Sequence, residues 1–199
     1  MRVAPPFIRL AAALIVCAAA GSAPAKPIGD GRVAFEATVV ARADSTVLRG
    51  RVHRAPGRER RVQRTASGLR VVIIRHDIGV VWVLDPAART YSQSPLSRAG
   101  PRLGVLDDRR FRLERDGEEA VSGMAATRYR YNGRTALGEA LSGRLWLSED
   151  GILVRIDGTS RRWGCCYRFS IRLSNLRRGP QDAFLFRVPR GYRRVAGPR

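Results

Sequence analysis

The pattern of apolar and polar residues predicts a chain built mainly from β-strands. Two runs of β-branched and large apolar residues, 71–74 (VVII) and 80–84 (VVWVL), flank a connection that contains Asp77 and Gly79. Runs of this kind predict an antiparallel hairpin. Neither run alternates apolar with polar residues, although successive strand residues point to opposite faces. Both faces of this hairpin therefore need a cover.

Further strands are predicted at residues 32–42, 46–54, 111–115, 124–131, 144–147, 152–156 and 162–173. In residues 32–42 the apolar residues stand at alternate positions, the pattern of a half-buried strand. Residues 162–173 alternate over their whole length and predict a strand so long that it must curl. Residues 58–65 are strongly basic, and we expect them at an edge of the sheet or facing solvent, where arginine charges discourage pairing with other chains.

Gly, Pro, Asn and Asp mark the connections. Asp116-Gly117 is predicted as a turn between two strands, and Asp150-Gly151 as a hairpin turn of type I′. Residues 92–108 are interrupted by proline and glycine, so we expect a loop with one or two short helical turns. Residues 132–142 could hold one further turn of helix.

The first 25 residues predict an export signal. Arg2 and Arg9 supply positive charge, residues 10–20 form an apolar run too short to span a bilayer, and Ala23-Pro24-Ala25 predicts a cleavage site. Cys17 raises the alternative of a lipid anchor, but the preceding Val16 does not fit a lipoprotein signal, so an unanchored periplasmic protein is favoured. Residues 26–199 are expected to form a single domain.

The charge balance limits the kinds of partner expected for this protein. The chain has 37 basic and 17 acidic residues, a net charge of +20, and every base except Lys26 is arginine. The arginines are scattered over the polar positions of nearly every strand, and the protein is expected to be exported. We therefore expect a solvated basic surface with weak attraction to anionic membranes, and no nucleic-acid partner.

The sequence offers little catalytic or metal-binding chemistry. His53 and His76 lie on separate predicted strands without the ligand spacing of a metal site, so no metal and no cofactor are expected. His76-Asp77 leaves an enzyme as a minor alternative, but the motif of a hydrolase nucleophile is absent. Cys165 and Cys166 lack the spacing of a redox pair, and we expect Cys165 to be buried and Cys166 exposed. The protein is not expected to be an enzyme.

Three motifs together resemble the exported lipoprotein-localisation carrier superfamily, with its LolA/LolB-like fold, and its uncharacterised exported relatives. They are residues 74–86 with Tyr91, residues 143–151 and residues 186–192. The resemblance implies a mainly β (α+β) fold: a curved, incompletely closed antiparallel β-barrel, with short helices covering an apolar cavity. In the carriers that cavity accepts the acyl chains of lipoproteins. The chain departs from the carriers in having no helix pattern before its first strand.

The resulting hypothesis is a cell-envelope protein that binds an acyl chain or another hydrophobic ligand, with a role in lipid or lipoprotein trafficking. Its partner would be that ligand or a lipoprotein acyl chain. The residues expected to line the cavity are Ile74, Trp82, Trp146 and Phe169. The alternative is a structural or interaction protein whose barrel is filled by its own side chains and takes no ligand.

The signal assignment can be tested by intact-mass measurement of the protein purified from its host. We expect an unmodified chain that begins near Lys26 or Gly21, because both follow small residues after the apolar run. A chain that begins at a diacylated Cys17 would contradict this prediction and make the protein membrane-anchored.

Overall fold

A computed structural model describes residues 32–65, 68–96, 111–134, 138–162 and 165–196. In these residues twelve strands form one sheet, in the order β12-β6-β5-β4-β3-β2-β1-β11-β10-β9-β8-β7. All pairs are antiparallel except β12 with β6. The strands are β1 (Phe35–Ala43), β2 (Thr46–Ala55), β3 (Arg58–Thr65), β4 (Gly68–Arg75), β5 (Val80–Asp85), β6 (Thr90–Pro95), β7 (Phe111–Val121), β8 (Met124–Arg134), β9 (Ala140–Ser148), β10 (Leu153–Arg162), β11 (Cys165–Arg178) and β12 (Arg193–Arg194).

The central hairpin is confirmed as β4 and β5, and both of its faces are buried. Val71 and Ile73 pack with Leu84 and Phe186 on one face. On the other face Val72 and Ile74 pack with Val81, Val83 and Leu96. Ile73 and Ile74 are both 0% exposed, so neither face of β4 is open to water.

A single turn of 3₁₀ helix, Ala183–Phe186, covers the Val71 face. The side chain of Asp182 caps its start by accepting a hydrogen bond from the backbone N–H of Phe184. Two arginines of the sheet hold its other end: Arg60 donates to the Leu185 carbonyl at 3.1 Å and Arg75 to the Phe186 carbonyl at 3.3 Å. This turn supplies a covering helix of the predicted kind. Most of the stretch 92–108, where helical turns were expected, lies outside the described residues.

Residues 58–65 were predicted at an edge of the sheet or facing solvent, and the edge position is wrong; most of these residues are half-buried. β3 pairs with β2 on one side and β4 on the other. The backbone N–H and C=O groups of a buried strand such as β4 need a hydrogen-bonding neighbour on each side. β3 is one of these two neighbours, and it also pairs with β2. Its charges are accommodated individually, since the buried carboxylate of Glu59 pairs with Arg61. Of the described strands, β7 and the short β12 are the two edge strands of the sheet.

The turn predicted at Asp116-Gly117 is also wrong. β7 continues through these residues with a bulge between Arg115 and Gly117. The chain instead reverses at Ser122 and Gly123, which have φ values of 51° and 77° between the paired residues Val121 and Met124. Positive φ at both central residues is the geometry of a type I′ turn.

The hairpin predicted around Asp150-Gly151 is confirmed, but its turn is not of type I′. Only Gly151 has a positive φ, of 79°, whereas type I′ needs positive φ at both central residues. The Gly151 N–H donates to the Ser148 carbonyl at 2.8 Å and thereby closes the turn.

The long strand is confirmed as the 14-residue β11, but its predicted start is wrong: β11 begins at Cys165, and Arg162 is the last residue of β10 and pairs with Cys165. The sheet around β11 is curved. The Ser122 hydroxyl, in the β7–β8 turn, donates to the Leu173 carbonyl of β11 at 3.1 Å. β9 and β10 lie between β8 and β11 in the sheet order. A flat sheet would hold β8 and β11 about 14 Å apart, so this contact requires strong curvature. The predicted fold class, a curved and incompletely closed antiparallel β-barrel, is confirmed.

The packing around Gly158 provides a test of the core. A Cβ added at Gly158 would collide with the Tyr131 hydroxyl and approach the Phe169 ring to 2.9 Å. We therefore expect Gly158→Ala to destabilise the protein by about 1–3 kcal/mol in urea denaturation. The Tyr131 hydroxyl is buried and accepts no hydrogen bond from the described residues. Tyr131→Phe should therefore be close to neutral alone, and should recover part of the Gly158→Ala loss. Strictly additive costs would contradict this account.

Candidate functional site

The strand register divides the four predicted cavity residues between the two faces of the sheet. Trp82 is the cross-strand partner of Ile73, and Ile74 is the partner of Val81, so Trp82 and Ile74 lie on opposite faces. Following the pairs from β4 through β3, β2 and β1 to β11 places Ile74 and Phe169 on one face. Trp146, the partner of Arg155, lies on the other face from Phe169.

The two tryptophans are held by polar contacts. The Trp82 indole N–H donates to Gln93 Oε1 at 3.1 Å. Trp146 is 3% exposed, and its indole N–H donates to Glu119 Oε2 at 3.0 Å. The guanidinium carbon of Arg155 lies 4.3 Å from the centre of the Trp146 ring, the distance of a cation–π contact. Both indole groups therefore belong to local networks in the sheet.

Phe169 and Ile74 lie in apolar surroundings. Phe169 is half-buried beside Ile171 and next to a core formed by Phe111, Tyr131, Leu141, Leu145 and Ile156. Its ring centroid lies 6.3 Å from that of Tyr167. Ile74 is fully buried in a separate cluster. The structure thus does not bring the four residues into one cavity, and contact of any of them with a ligand stays a prediction.

The face that carries Phe169 is apolar over several adjacent strands. It includes Ile171 on β11, Ile156 on β10 and Leu145 on β9, which are joined by successive cross-strand pairs. Six side chains packed against this core are only partly buried: Leu113, Tyr129, Leu147, Leu153, Phe169 and Ile171. The part-exposed Tyr167 extends the same row. We call this surface the apolar face.

A polar strand separates the apolar face from the hairpin cluster. On β3 the positions between Ile74 and β2 are occupied by Glu59 and Arg61, which form a mostly buried ion pair. The apolar face and the Val72–Ile74 cluster are therefore two patches and not one continuous floor.

A buried carboxylate borders the apolar face. Glu139 is 8% exposed and accepts hydrogen bonds from the hydroxyls of Ser160 and Tyr167, the latter at 2.8 Å. Two hydroxyl donors stabilise a buried carboxylate, so this group is accommodated by its own neighbours.

The opposite face bears a groove of about 590 Å³ lined by arginines. The charged residues that line it are Arg128, Arg130, Arg144, Arg155, Arg168, Glu119 and Asp157. Ser142, Thr159, Trp146, Phe169 and the facing pair Gly143 and Gly158 complete the lining. Because neither glycine has a side chain, the sheet is thin at the floor of the groove. We call this site the arginine groove.

Carboxylates fix most of the groove's arginines in place. Asp116 lies 3.2 Å from the Nε atoms of both Arg128 and Arg144, and 3.6 Å from that of Arg130. Arg155 pairs with Asp157 at 2.5 Å and with Glu119 at 3.7 Å. The Trp146 indole N–H, together with Arg128, lowers the pKa of Glu119, so Glu119 is charged at neutral pH.

In the candidate catalytic pair His76-Asp77, the Asp77 carboxylate is hydrogen-bonded to arginines and not to His76. Asp77 receives hydrogen bonds from Arg75 at 2.7 and 2.8 Å and from Arg58 at 3.2 Å, and Arg75 lowers the pKa of Asp77. The backbone N–H groups of His76 and Asp77 both donate to the Gly57 carbonyl. This arrangement fixes a turn. His53 lies elsewhere and contacts Gln181 at 3.0 Å.

The described residues contain no group of three or more His, Cys, Asp or Glu side chains that could hold a metal ion. None of their helices is long and apolar enough to cross a membrane. Cys166 is an exposed free thiol, as predicted. The side chain of Cys165, and the export signal with Cys17, lie outside what the structure describes.

The comparisons with known proteins show that this chain shares its fold with solved structures. No protein-family model and no curated protein matches the chain. An uncharacterized conserved protein from Thermus thermophilus matches with a TM-score of 0.56 at 19% identity, over 83% of this chain and 91% of that one. MucB matches with a TM-score of 0.52 at 15% identity, over 78% of this chain. The MucA/MucB complex of Pseudomonas aeruginosa matches at 0.50 and 19%, over 79% of this chain.

The chain spans 56% of the MucB chain in both matches. Weaker matches include the Mycobacterium tuberculosis lipoprotein LppX and a putative outer membrane lipoprotein-sorting protein domain from Vibrio parahaemolyticus, with TM-scores of 0.42 and 0.39. The matches with TM-scores of 0.50 or above show a shared fold and no more. At these identities the likeness extends to no ligand or partner.

Sequence reasoning missed the arginine groove. Its arginines come from β8, β9, β10 and β11, and each one sits at an ordinary polar position of an alternating strand. The nearest available signal was that Arg128, Arg130, Arg144, Arg155 and Arg168 lie in strands that follow one another along the chain. Only their register shows that they converge.

Proposed function

We propose that this protein works in the cell envelope and binds an acyl chain or another hydrophobic ligand on the apolar face. One observation carries the proposal. Side chains as apolar as Ile171, Phe169 and Leu147 stay only partly buried on a face of the sheet that is otherwise core. A contiguous row of partly exposed apolar side chains supports a ligand site on this face.

The energetics favour a chain-like ligand. Each CH₂ group removed from water contributes roughly 0.8 kcal/mol, so a long acyl chain can bind measurably after the cost of association. Tyr129, Tyr167 and Phe169 add rings that pack against such a chain, and rings are common in apolar ligand sites. A fold of the carrier type agrees with this role, and carriage of lipids or lipoproteins between membranes is its proposed biological purpose.

The proposal can be tested with an environment-sensitive fatty-acid probe added to the purified mature protein. We expect saturable binding that unlabelled fatty acid displaces. Ile171→Gln should weaken binding about fivefold or more, because it places an amide in the apolar face; this corresponds to ~1 kcal/mol. The matched control is Arg172→Gln, since Arg172 is the next residue of β11 and points to the opposite face.

The control must leave probe affinity unchanged, and both variants must retain the far-ultraviolet spectrum and thermal transition of the wild type. Equal weakening by the two variants would contradict the assignment to the apolar face. Absence of saturable binding up to the solubility of the probe, with the protein folded, would favour the alternative of a filled structural or interaction protein.

A further inference from the structure

The side chains of the arginine groove and of the apolar face point to opposite sides of the sheet, and Phe169 borders both sites. Arg155 and Trp146 are cross-strand partners on one side of the sheet, while Ile156 and Leu145, the next pair along, lie on the other. The groove's volume of about 590 Å³ falls within the range of roughly 300–1,000 Å³ that is usual for small-molecule sites. The groove is open to solvent over much of its extent, so a ligand would lie in a shallow concavity.

The lining of the groove has an excess of positive charge. Five arginines face it, against the carboxylates of Glu119 and Asp157. Asp116 lies behind Arg128 and Arg144, and its side chain is only 18% exposed. Counting all three carboxylates, the site still holds two more positive charges than negative ones. An anion entering the groove would therefore be attracted.

The carboxylates also position the arginines without using all of their donors. A guanidinium group has five N–H donors in a planar fork. The contacts of Asp116 with Arg128 and Arg144 go to Nε, and that of Arg155 with Asp157 goes to one terminal nitrogen. Further N–H groups of Arg144 and Arg155 remain for a ligand.

Arg168 completes the site from β11. Its backbone N–H donates to Asp44 at 3.2 Å, and its exposed side chain has no ion pair among the described residues. Thr159 and Ser142 add hydroxyl donors. The site thus combines several cationic donors with neutral hydrogen-bond donors.

We propose that the arginine groove binds a phosphate-bearing ligand. Arginine forks match phosphate oxygens in paired hydrogen bonds, and a phosphate group accepts from more donors at once than a carboxylate can. Arginines on adjacent strands would reach different oxygens of one phosphate group. The phosphate can belong to a soluble molecule or to a lipid headgroup, and the experiment separates these sources.

The experiment measures tripolyphosphate binding to the full mature protein by isothermal titration calorimetry. We compare the double variant Arg144→Gln/Arg168→Gln with the matched double variant Arg49→Gln/Arg64→Gln. Arg49 and Arg64 are exposed cross-strand partners on β2 and β3, on the same face but outside the groove. Both variants lose the same net charge.

We expect the groove variant to raise Kd at least about tenfold, because each lost charge-assisted hydrogen bond is worth roughly that factor. The control should change Kd less than about twofold. Arg168→Glu is a second groove variant, and since it disturbs no ion pair it should fold and also weaken binding. Equal losses in the two double variants would overturn the proposal, because they would show attraction by net charge alone.

The second arm measures co-sedimentation with phosphatidylcholine vesicles, with and without phosphatidylglycerol. Binding of tripolyphosphate that the groove variant loses assigns a soluble source. Phosphatidylglycerol-dependent sedimentation lost in that variant, without tripolyphosphate binding, assigns a lipid headgroup. If the wild type binds neither probe, the proposal fails. Failure of the fatty-acid probe on the apolar face would leave these outcomes unaffected, since the two sites lie on opposite faces.

Discussion

The structure depends on a hairpin that is apolar on both faces. Val71 to Ile74 are all at most 6% exposed, so β4 must be covered above and below and paired along both edges. The 3₁₀ helix covers one face of β4: Phe186 is 1% exposed, and two arginines donate hydrogen bonds to the carbonyls of the helix. β3 and β5 meet the pairing requirement, and this explains why so basic a strand as β3 lies inside the sheet.

Away from the hairpin, alternation assigns the two faces different chemistry. On β8 to β11, side chains such as Leu145 and Ile171 form one face, while arginines such as Arg144 and Arg172 form the other. The curvature shown by the contact of Ser122 with Leu173 draws these strands together. One face is therefore apolar, and the other gathers arginines into a groove.

The sequence predicted local structure better than it predicted the site. The strand at residues 71–74 and the Asp150-Gly151 hairpin could be predicted because the residues that specify them are close together in the sequence. The turn at Ser122-Gly123 was missed because Asp116-Gly117 carries the stronger turn dipeptide, and only the pairing of β7 with β8 shows that Asp116 is the extra residue of a bulge. Trp82 and Ile74 were grouped as cavity residues because residue type does not reveal face. That information lies in the register, as does the convergence of Arg144 and Arg168.

The central claim, a hydrophobic ligand on the apolar face, is tested most directly by photo-crosslinking. A fatty acid with a photoreactive group on its chain would be irradiated with the purified protein, and the adducts mapped by peptide mass spectrometry. The account predicts adducts on β11 and β8, at or beside Phe169, Ile171 and Tyr129, that excess unlabelled fatty acid suppresses. Adducts confined to the arginine-bearing face, or labelling that unlabelled fatty acid leaves unchanged, would contradict it.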